Sequence, residues 1–318
     1  MPQQNLGQAR VVDPILSEHS RGYVRPGNVG QLLFPVAPVR AYGGKIIEFG
    51  REAFRLYNSH RAPGANTKRI DFGYSGKPYA IVPRALEAVV PRENQNDAQQ
   101  VPGIDLAAEA IDLVLDSQQL ENEVDDANIA RNAANYDANH KVALVGTARW
   151  TGAAGDPSAD INAAKEAIRA SIGVRPNTVV LSPSAFAACE TNAKIIDRLK
   201  YTGRDSVTVE LLAKLWNVQT VAVGDAVVAT GQNDDFGDVW GDDVIVAYVA
   251  PAGGGSSRSQ RKPSFGYRYT IVGMPLVEPA YWDNSAKSWV YGVSNDSAPV
   301  LSGMTAGYLI QNAGGPAA

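Results

Sequence analysis

Cysteine is almost absent from this chain: Cys189 is the only one in 318 residues. A single thiol leaves no intrachain disulfide, and a reducing compartment is the natural setting. No apolar run approaches the roughly 20 residues that span a bilayer. The opening stretch "MPQQNLGQARVVDPILSEHS" has no basic start followed by an apolar core. The chain therefore reads as soluble and non-secreted, with no signal peptide. Strong charge of either sign is lacking as well, since the net charge is −4 and charged residues make up 19%. Nothing resembles a polycationic face for gripping DNA.

Signatures of chemistry are also missing. The three histidines, His19, His60 and His140, fall in an arm, a hairpin tip and a loop, where a lone exposed histidine is ordinarily surface. There is no HExxH, CxxC or histidine pair with metal-ligand spacing, and no Gly-x-Ser-x-Gly elbow. "GYSGKPY" lacks the full phosphate-loop pattern, and "AGGGSSRSQRK" has no following helix, so it reads as a flexible loop. Cys189 sits in "AFAACETN", where a buried small residue is the default. The one dense charged cluster is "NDDFGDVWGDD", with Asp234, Asp235, Asp238, Asp242 and Asp243. Hard cations such as Ca²⁺ favour carboxylates, so Asp234, Asp235 and Asp238 are the candidate ligands. The EF-hand spacing is absent, however, and a solvated turn is the plainer reading. No catalytic residue and no cofactor is expected.

What is present is a globular composition, 45% apolar, long enough for one large or two ordinary domains. The first hundred residues are unusual. "GYVRPGNVGQLLFPVAPVRAYGG" threads Pro26, Pro35 and Pro38 through short apolar pieces, which predicts an extended arm rather than a helix. Either the arm is a leader strand on its own domain or it lies on another surface. "KIIEFGREAFRLY" and "KRIDFGYSGKPYAIVP" follow, joined by "NSHRAPGANTK". The second alternates, with Ile70, Phe72 and Tyr74 on one side. The pair reads as a two-stranded arm, and an isolated hairpin is marginal in water. A partner surface is required.

The strongest helix runs from Asp105, a candidate N-cap, to about Asn132. Its stripe is Leu106, Ala110, Leu113, Leu120, Val124 and Ala127, with Ser117 filling one step and Ile111 and Val114 widening it. At about 1.5 Å per residue it spans roughly 40 Å. Its spacing also permits a coiled coil, though e/g complementarity is sparse. Beyond it the elements alternate. "KVALVGT" is a strand, and "SADINAAKEAIRASIG" a helix capped by Ser158 or Asp160 and ended by Gly173. "NTVVLS" is a strand, and "PSAFAACETNAKIIDRLKY" a helical pair with proline at its first position. "SVTVELLAKLWN" is a helix, followed by strands "VQTVAVG" and "DDVIVAYVAP". Four strand-like pieces close the chain, "FGYRYTIVG", "PLVEPAYWD", "SWVYGVS" and a last one ending at Ile310, before a tail "NAGGPAA" expected to be loose.

This order resembles the major capsid protein of tailed double-stranded-DNA phages, the Hong Kong 97 type fold. The residues that carry the resemblance are "GQLLFPVAPV" (30–39), "IIEFGREAFRLYNSHRAPG" (46–64), the long helix, "DINAAKEAIRASIGVRPNTVVLSPSAFAACETNAKIIDRLKY" (160–201) and "ELLAKLWNVQTVAVGDAVV" (210–228). It implies an α+β fold with an N-terminal arm (1–44), an extended two-stranded E-loop and return (45–100), and a peripheral domain with a spine helix (101–174). An axial α/β domain (175–250) and a return to the peripheral domain (251–318) would follow. It also implies self-assembly into hexamers and pentamers of an icosahedral head, formed in the host cytoplasm around weakly contacted DNA. A portal, a separate scaffolding protein and a decoration protein are the implied partners, and no membrane is involved. The expected subunit contacts are Leu33, Phe34 and Val36 in the arm. On the loop they are Phe49, Phe54, Tyr57, His60 and Arg61, with Lys68, Arg69, Phe72 and Tyr74 on the return. Some relatives crosslink lysine to asparagine, but nothing around Lys68, Lys77, Asn284 or Asn295 marks such a pair. The alternatives are an encapsulin-like compartment and, from another class, an α/β enzyme.

Overall fold

The computed structural model describes residues 27–47, 60–61, 76–98, 105–199, 206–230, 235–250 and 264–317. Its helices are α1 (Gly30–Leu33), α2 (Arg92–Ala98), α3 (Leu106–Arg131), α4 (Pro157–Ile172), α5 (Pro183–Thr191), α6 (Ala193–Leu199) and α7 (Val209–Trp216). The strands before and between the first helices are β1 (Val36–Val39), β2 (Gly43–Ile47), β3 (Gly76–Ala80), β4 (Ala85–Pro91), β5 (Lys141–Ala143) and β6 (Thr178–Leu181). Then come β7 (Thr220–Val223), β8 (Val227–Thr230), β9 (Asp235–Asp238), β10 (Val244–Ala247) and β11 (Gly266–Ile271). The last are β12 (Leu276–Val277), β13 (Tyr281–Asp283), β14 (Ser288–Ser294), β15 (Ser297–Leu301) and β16 (Gly307–Gln311).

Helix α3 begins where its cap predicts. The Asp105 carboxylate accepts the backbone N–H groups of Ala107 and Ala108 at 3.0 and 3.3 Å, satisfying two donors that no helical carbonyl can reach. Its first half lays Ala110, Ile111, Val114 and Leu115 on Val90, Val277, Tyr291 and Val293. Its second half brings Ala127 and Ala130 against Leu33, Phe34, Trp240 and Phe265. The buried face is therefore rotated from the expected stripe. Leu113 is 65% exposed, whereas Gln118, Glu123 and Asp126 are buried. The face a coiled coil would use is occupied by the subunit's own sheets.

The central sheet has the order β5-β16-β10-β6-β7, with the outer pairs β5/β16 and β6/β7 parallel and the inner pairs antiparallel. Of the three inner strands, β6 and β10 are buried at every position, as strands covered on both faces must be. Side chains alternate across it: Val179, Leu181, Val244 and Val246 meet Ile161, Ile168, Leu212 and Trp216 of α4 and α7. Val180, Ile245 and Leu309 turn instead toward α3 and Trp240. The sheet draws on residues 141–143 and 307–311 as well as on 178–247.

Local signals place the helices with one correction. Helix α4 starts at Pro157, capped by Asp156, whose side chain accepts Ala159 N–H at 3.0 Å. The expected caps Ser158 and Asp160 lie inside the first turn, where they accept the indole N–H groups of Trp216 and Trp150 at 3.3 and 2.8 Å. Gly173 does end the helix, with φ 71, a conformation that only glycine adopts at little cost. Ser182 caps α5 with Pro183 at its first position.

Two expectations about the ends of the chain are overturned. Gly30–Leu33 is a helical turn, and β1 pairs in parallel with β11, Val36 opposite Arg268 and Val39 opposite Ile271. Leu33 and Phe34 are fully buried in the subunit's own core, so neither is available to a neighbour. Phe34 lies against Phe265 at 5.5 Å between ring centroids and directly over Gly266, where any Cβ would come within 2.5 Å of the ring. The leader-strand reading applies to this piece. The tail is not loose either. Ala313 is buried and its carbonyl accepts Trp150 N–H at 3.0 Å, while Gly314 N–H donates to the Asp242 carbonyl at 3.0 Å.

Candidate assembly surfaces and the buried clamp

Two carboxylates one helical turn apart on α3 hold neighbouring pieces, Glu123 the N-terminal turn and Asp126 strand β11. Glu123 accepts Val29 N–H at 2.8 Å, Gly30 N–H through both carboxylate oxygens at 3.0 and 2.9 Å, and Trp240 Nε1–H at 2.8 Å. Asp126 accepts Arg268 Nη2–H at 2.8 Å. The same guanidinium donates to Asn122 Oδ1 at 2.7 Å, the Asn122 carbonyl at 2.8 Å and Ser297 Oγ at 3.0 Å. All three charged residues are buried. Charges removed from water must be paired and hydrogen-bonded: Asp126 is paired with Arg268, and Glu123 is hydrogen-bonded by backbone and indole N–H groups. Burial pushes the Asp126 carboxyl up to about 7, and the neighbouring Glu123 adds to that, against the pull of Arg268. Gly30 makes the clamp possible, because a Cβ there would sit 2.5 Å from Asp126 Oδ2. Sequence patterning missed this cluster, since polar residues on an apolar stripe look like interruptions.

The β2/β3 pair is attached to the body. β2 and β3 pair antiparallel from Gly43/Ala80 to Ile47/Gly76. Tyr79 stacks on Tyr269, with ring centroids 4.7 Å apart and an angle of 13°, and Tyr42 Oη donates to Asp296 at 2.6 Å. The contacts expected at Phe49, Phe54, Tyr57, Lys68, Arg69, Phe72 and Tyr74 lie outside the described residues. His60 and Arg61 are described and exposed. Val36 is 58% exposed, on the edge of the β1-β11-β15 sheet. Further exposed apolar residues are Val82, Leu86, Val89, Val272 and Phe236.

The groups singled out for chemistry are dispersed. Asp243 is buried, accepting Arg131 Nε–H at 2.8 Å and Asn312 N–H at 3.0 Å. Asp242 accepts Ser184 Oγ–H at 2.7 Å. Asp235 and Asp238 are exposed on β9, and Asp234 lies outside the described residues. Among the described residues no three His, Cys, Asp or Glu side chains are grouped to hold a metal. Cys189 is buried, and burial pushes its thiol up, away from nucleophilic use. His140 is not exposed as expected. Its ring is sealed between Asp137 Oδ1 at 2.6 Å from Nδ1 and Ser171 Oγ at 3.0 Å from Nε2, tying the loop after α3 to the end of α4. A cavity of about 380 Å³ is lined by Trp150, Thr151, Asn192 and Lys194 among others. It does not include His140. No described helix is long and apolar enough to cross a membrane.

Comparison with known proteins agrees with this architecture. The family model for phage major capsid protein E matches residues 135–300. The major capsid protein of Burkholderia phage BcepMu is 35% identical over 310 residues, 98% of this chain and 99% of the relative. The crystal structure of a phage-related protein from Bordetella bronchiseptica RB50 is 58% identical with a TM-score of 0.83, covering 98% of this chain and 100% of that one. At 11% identity, the mature capsid of bacteriophage PhiM1 shares the fold, with a TM-score of 0.54 over 91% of this chain and 88% of that one. The fold is of the Hong Kong 97 type, and the near-full-length match to a head protein favours a phage head over an encapsulin-like compartment. The chain belongs to the phage major capsid protein E family, and it is a phage major capsid protein.

Proposed function

We propose that this chain works purely as a building block, without catalysis, and closes into an icosahedral head of hexamers and pentamers around double-stranded DNA. The observation that carries this is the arm root. Twenty-eight residues, 48–75, connect two strands that are paired and attached to the body at their near ends. An isolated two-stranded hairpin is marginal in water, which supports a role for this segment against another subunit. Contacts of that kind are heterologous, and they close into rings when the rotation between copies permits. Many modest contacts per subunit then give cooperative assembly.

On this reading residues 175–250 form the axial part, 101–174 and 251–318 the peripheral part, and 1–44 and 45–100 the arms. Val36, His60 and Arg61, with Phe49, Phe54, Tyr57, Lys68, Arg69, Phe72 and Tyr74, make the subunit contacts. A net charge of −4 fits DNA that is contacted weakly and released readily. Portal, scaffolding and decoration proteins are separate partners, and assembly takes place in the host cytoplasm. Electron microscopy of the overexpressed protein, alone and with its neighbouring genes, tests this. Shells, tubes or ring-shaped capsomers are expected. Monodisperse monomers under every condition would refute it. Deleting residues 60–68 should leave a folded subunit that makes no shells.

A further inference from the structure

Helix α3 carries seven carboxylates, and Arg131 in its last turn is its only cation. The described arginines around it gather at its second half. Arg84 pairs with Glu121 and Asp125, Arg268 with Asp126, and Arg131 itself turns to Asp243. The first half lays Ala110, Ile111, Val114 and Leu115 on the subunit's own sheet. Its opposite side is a single stripe. Counting back from Glu123 in steps of four and three gives Gln119, Asp116, Asp112 and Glu109, which share one face of a helix. Leu113 stands beside this stripe at 65% exposure. Like charges stacked along one face destabilise a helix, so the stripe suits a cover that is both cationic and apolar. The described N-terminal piece already occupies its two last rungs. Val29 and Gly30 N–H groups donate to Glu123, and Asn28 Nδ2–H donates to the Gln119 carbonyl at 3.3 Å. Followed toward lower numbers, the chain therefore travels along the stripe toward the start of the helix. Asn28 Oδ1 is buried there with no hydrogen-bond partner among the described residues, a vacancy that an arriving donor would fill.

The residues that come next along the chain have the matching chemistry. Residues 20–26, "SRGYVRP", hold Arg21 and Arg25 around Tyr23 and Val24, with no carboxylate. The lengths agree as well. At about 1.5 Å per helical residue, Asp116, Asp112 and Glu109 lie roughly 5, 10 and 15 Å beyond Gln119. At about 3.3 Å per extended residue, Arg25 and Tyr23 lie roughly 10 and 16 Å beyond Asn28. Pro26 favours an extended Arg25. We propose that residues 20–26 of this same chain form a strap along the outward face of the first half of α3. Arg25 lies between Asp116 and Asp112, Tyr23 lies over Leu113 and Glu109, and Arg21 reaches the first turn. A competing carboxylate, Asp225, stands at the entrance, its Cβ 3.8 Å from where a Cβ on Gly27 would be. It offers one charge where the stripe offers three. The strap belongs to the subunit itself, so it goes beyond the shell reading and does not depend on it.

Disulfide capture in the unassembled subunit tests it. In a Cys189→Ala background, Tyr23→Cys is combined in turn with Leu113→Cys, Glu109→Cys and Asp225→Cys. Mild oxidation should close a bond within one chain to Leu113→Cys or Glu109→Cys, seen as a monomer that runs faster in non-reducing gels. Capture there should be about tenfold or more faster than with Asp225→Cys, because a disulfide needs its two Cβ atoms close together. Faster capture at Asp225→Cys, a bond between two chains, or no capture overturns the assignment. The cations are tested next. Arg21→Glu with Arg25→Glu should slow capture about tenfold, because like charges then face one another. Adding Asp112→Lys with Asp116→Lys should restore it to within about threefold. Melting of each variant reports folding. Should the charge variants misfold, salt decides: capture with Leu113→Cys should slow several-fold between about 0.05 M and about 1 M salt. A rate indifferent to charge exchange, or to salt, would refute the pairing of these arginines with the stripe.

Discussion

Asp126 makes the stability of this subunit depend on pH in a direction that can be stated in advance. Its carboxyl is pushed from 3.8 up to about 7 in the fold, because it sits buried beside Glu123 with only Arg268 to offset the lost hydration. Below pH 4 the carboxyl is protonated in both folded and unfolded chains. As the pH rises from about 4 to about 7 the unfolded chain releases its proton while the folded chain keeps it, so stability falls by about 1.4 kcal/mol per pH unit. Over the whole interval that is about 4 kcal/mol, and above pH 7 the curve is flat again. Asp126→Asn copies the protonated form, keeping an oxygen for Arg268 Nη2 and the same volume beside Gly30. The variant should match the wild type near pH 4 and become progressively more stable than it up to pH 7. The assay is urea unfolding of the unassembled subunit at several pH values, subtracting one protein's curve from the other's so that all other titrations cancel. A difference curve that stays flat from pH 4 to 8 would show that Asp126 titrates normally and that the clamp is not desolvated.

Other expectations follow from packing and capping. Phe34→Ala should cost about 3–5 kcal/mol, read as a lower melting temperature, and a loss below about 1 kcal/mol would mean the ring is not in the subunit's core. Ending the chain at residue 311 removes the bonds from Trp150 to Ala313 and from Gly314 to Asp242. It should lower the melting temperature by several degrees and speed amide exchange at Trp150, whereas an unchanged protein would return the tail to the loose state first expected. Asp105→Ala should cost about 1 kcal/mol, seen as fraying of the first turn of α3, and no change in amide exchange at Ala107 and Ala108 would refute the cap.

Elements set by neighbouring residues were legible in the sequence. Asp105 and the apolar repeat announced α3, and Pro183 and Gly173 marked helix ends, because such signals act within a few residues of themselves. Distant pairings were not. Proline spacing predicted that 34–39 is extended, but whether it serves this subunit or another depends on β11, more than two hundred residues away. Arg268 sits in "FGYRYTIVG", where alternation hides it, and its burial makes sense only once Asn122 and Asp126 are beside it. The tail looked loose because Ala and Gly offer no side chain to anchor. Their smallness is the reason it fits: a Cβ on Gly314 would lie 2.3 Å from Ala185 N and Ser184 Oγ. Of the candidate contacts, Leu33 and Phe34 belong inside the subunit. The acidic turn is divided between core bonds and the surface.

Strand β16 lies between β5 and β10, so the central sheet cannot be finished until residues 307–311 have been synthesised. A polypeptide that stops before them leaves β10 with an open edge and β5 with no partner, and lacks the Leu309 and Ile310 side chains that fill both faces. Translation therefore has to pass residue 311 before the central sheet has all five of its strands. The last-made strand is thus a central one, and completing the sheet waits on the end of synthesis.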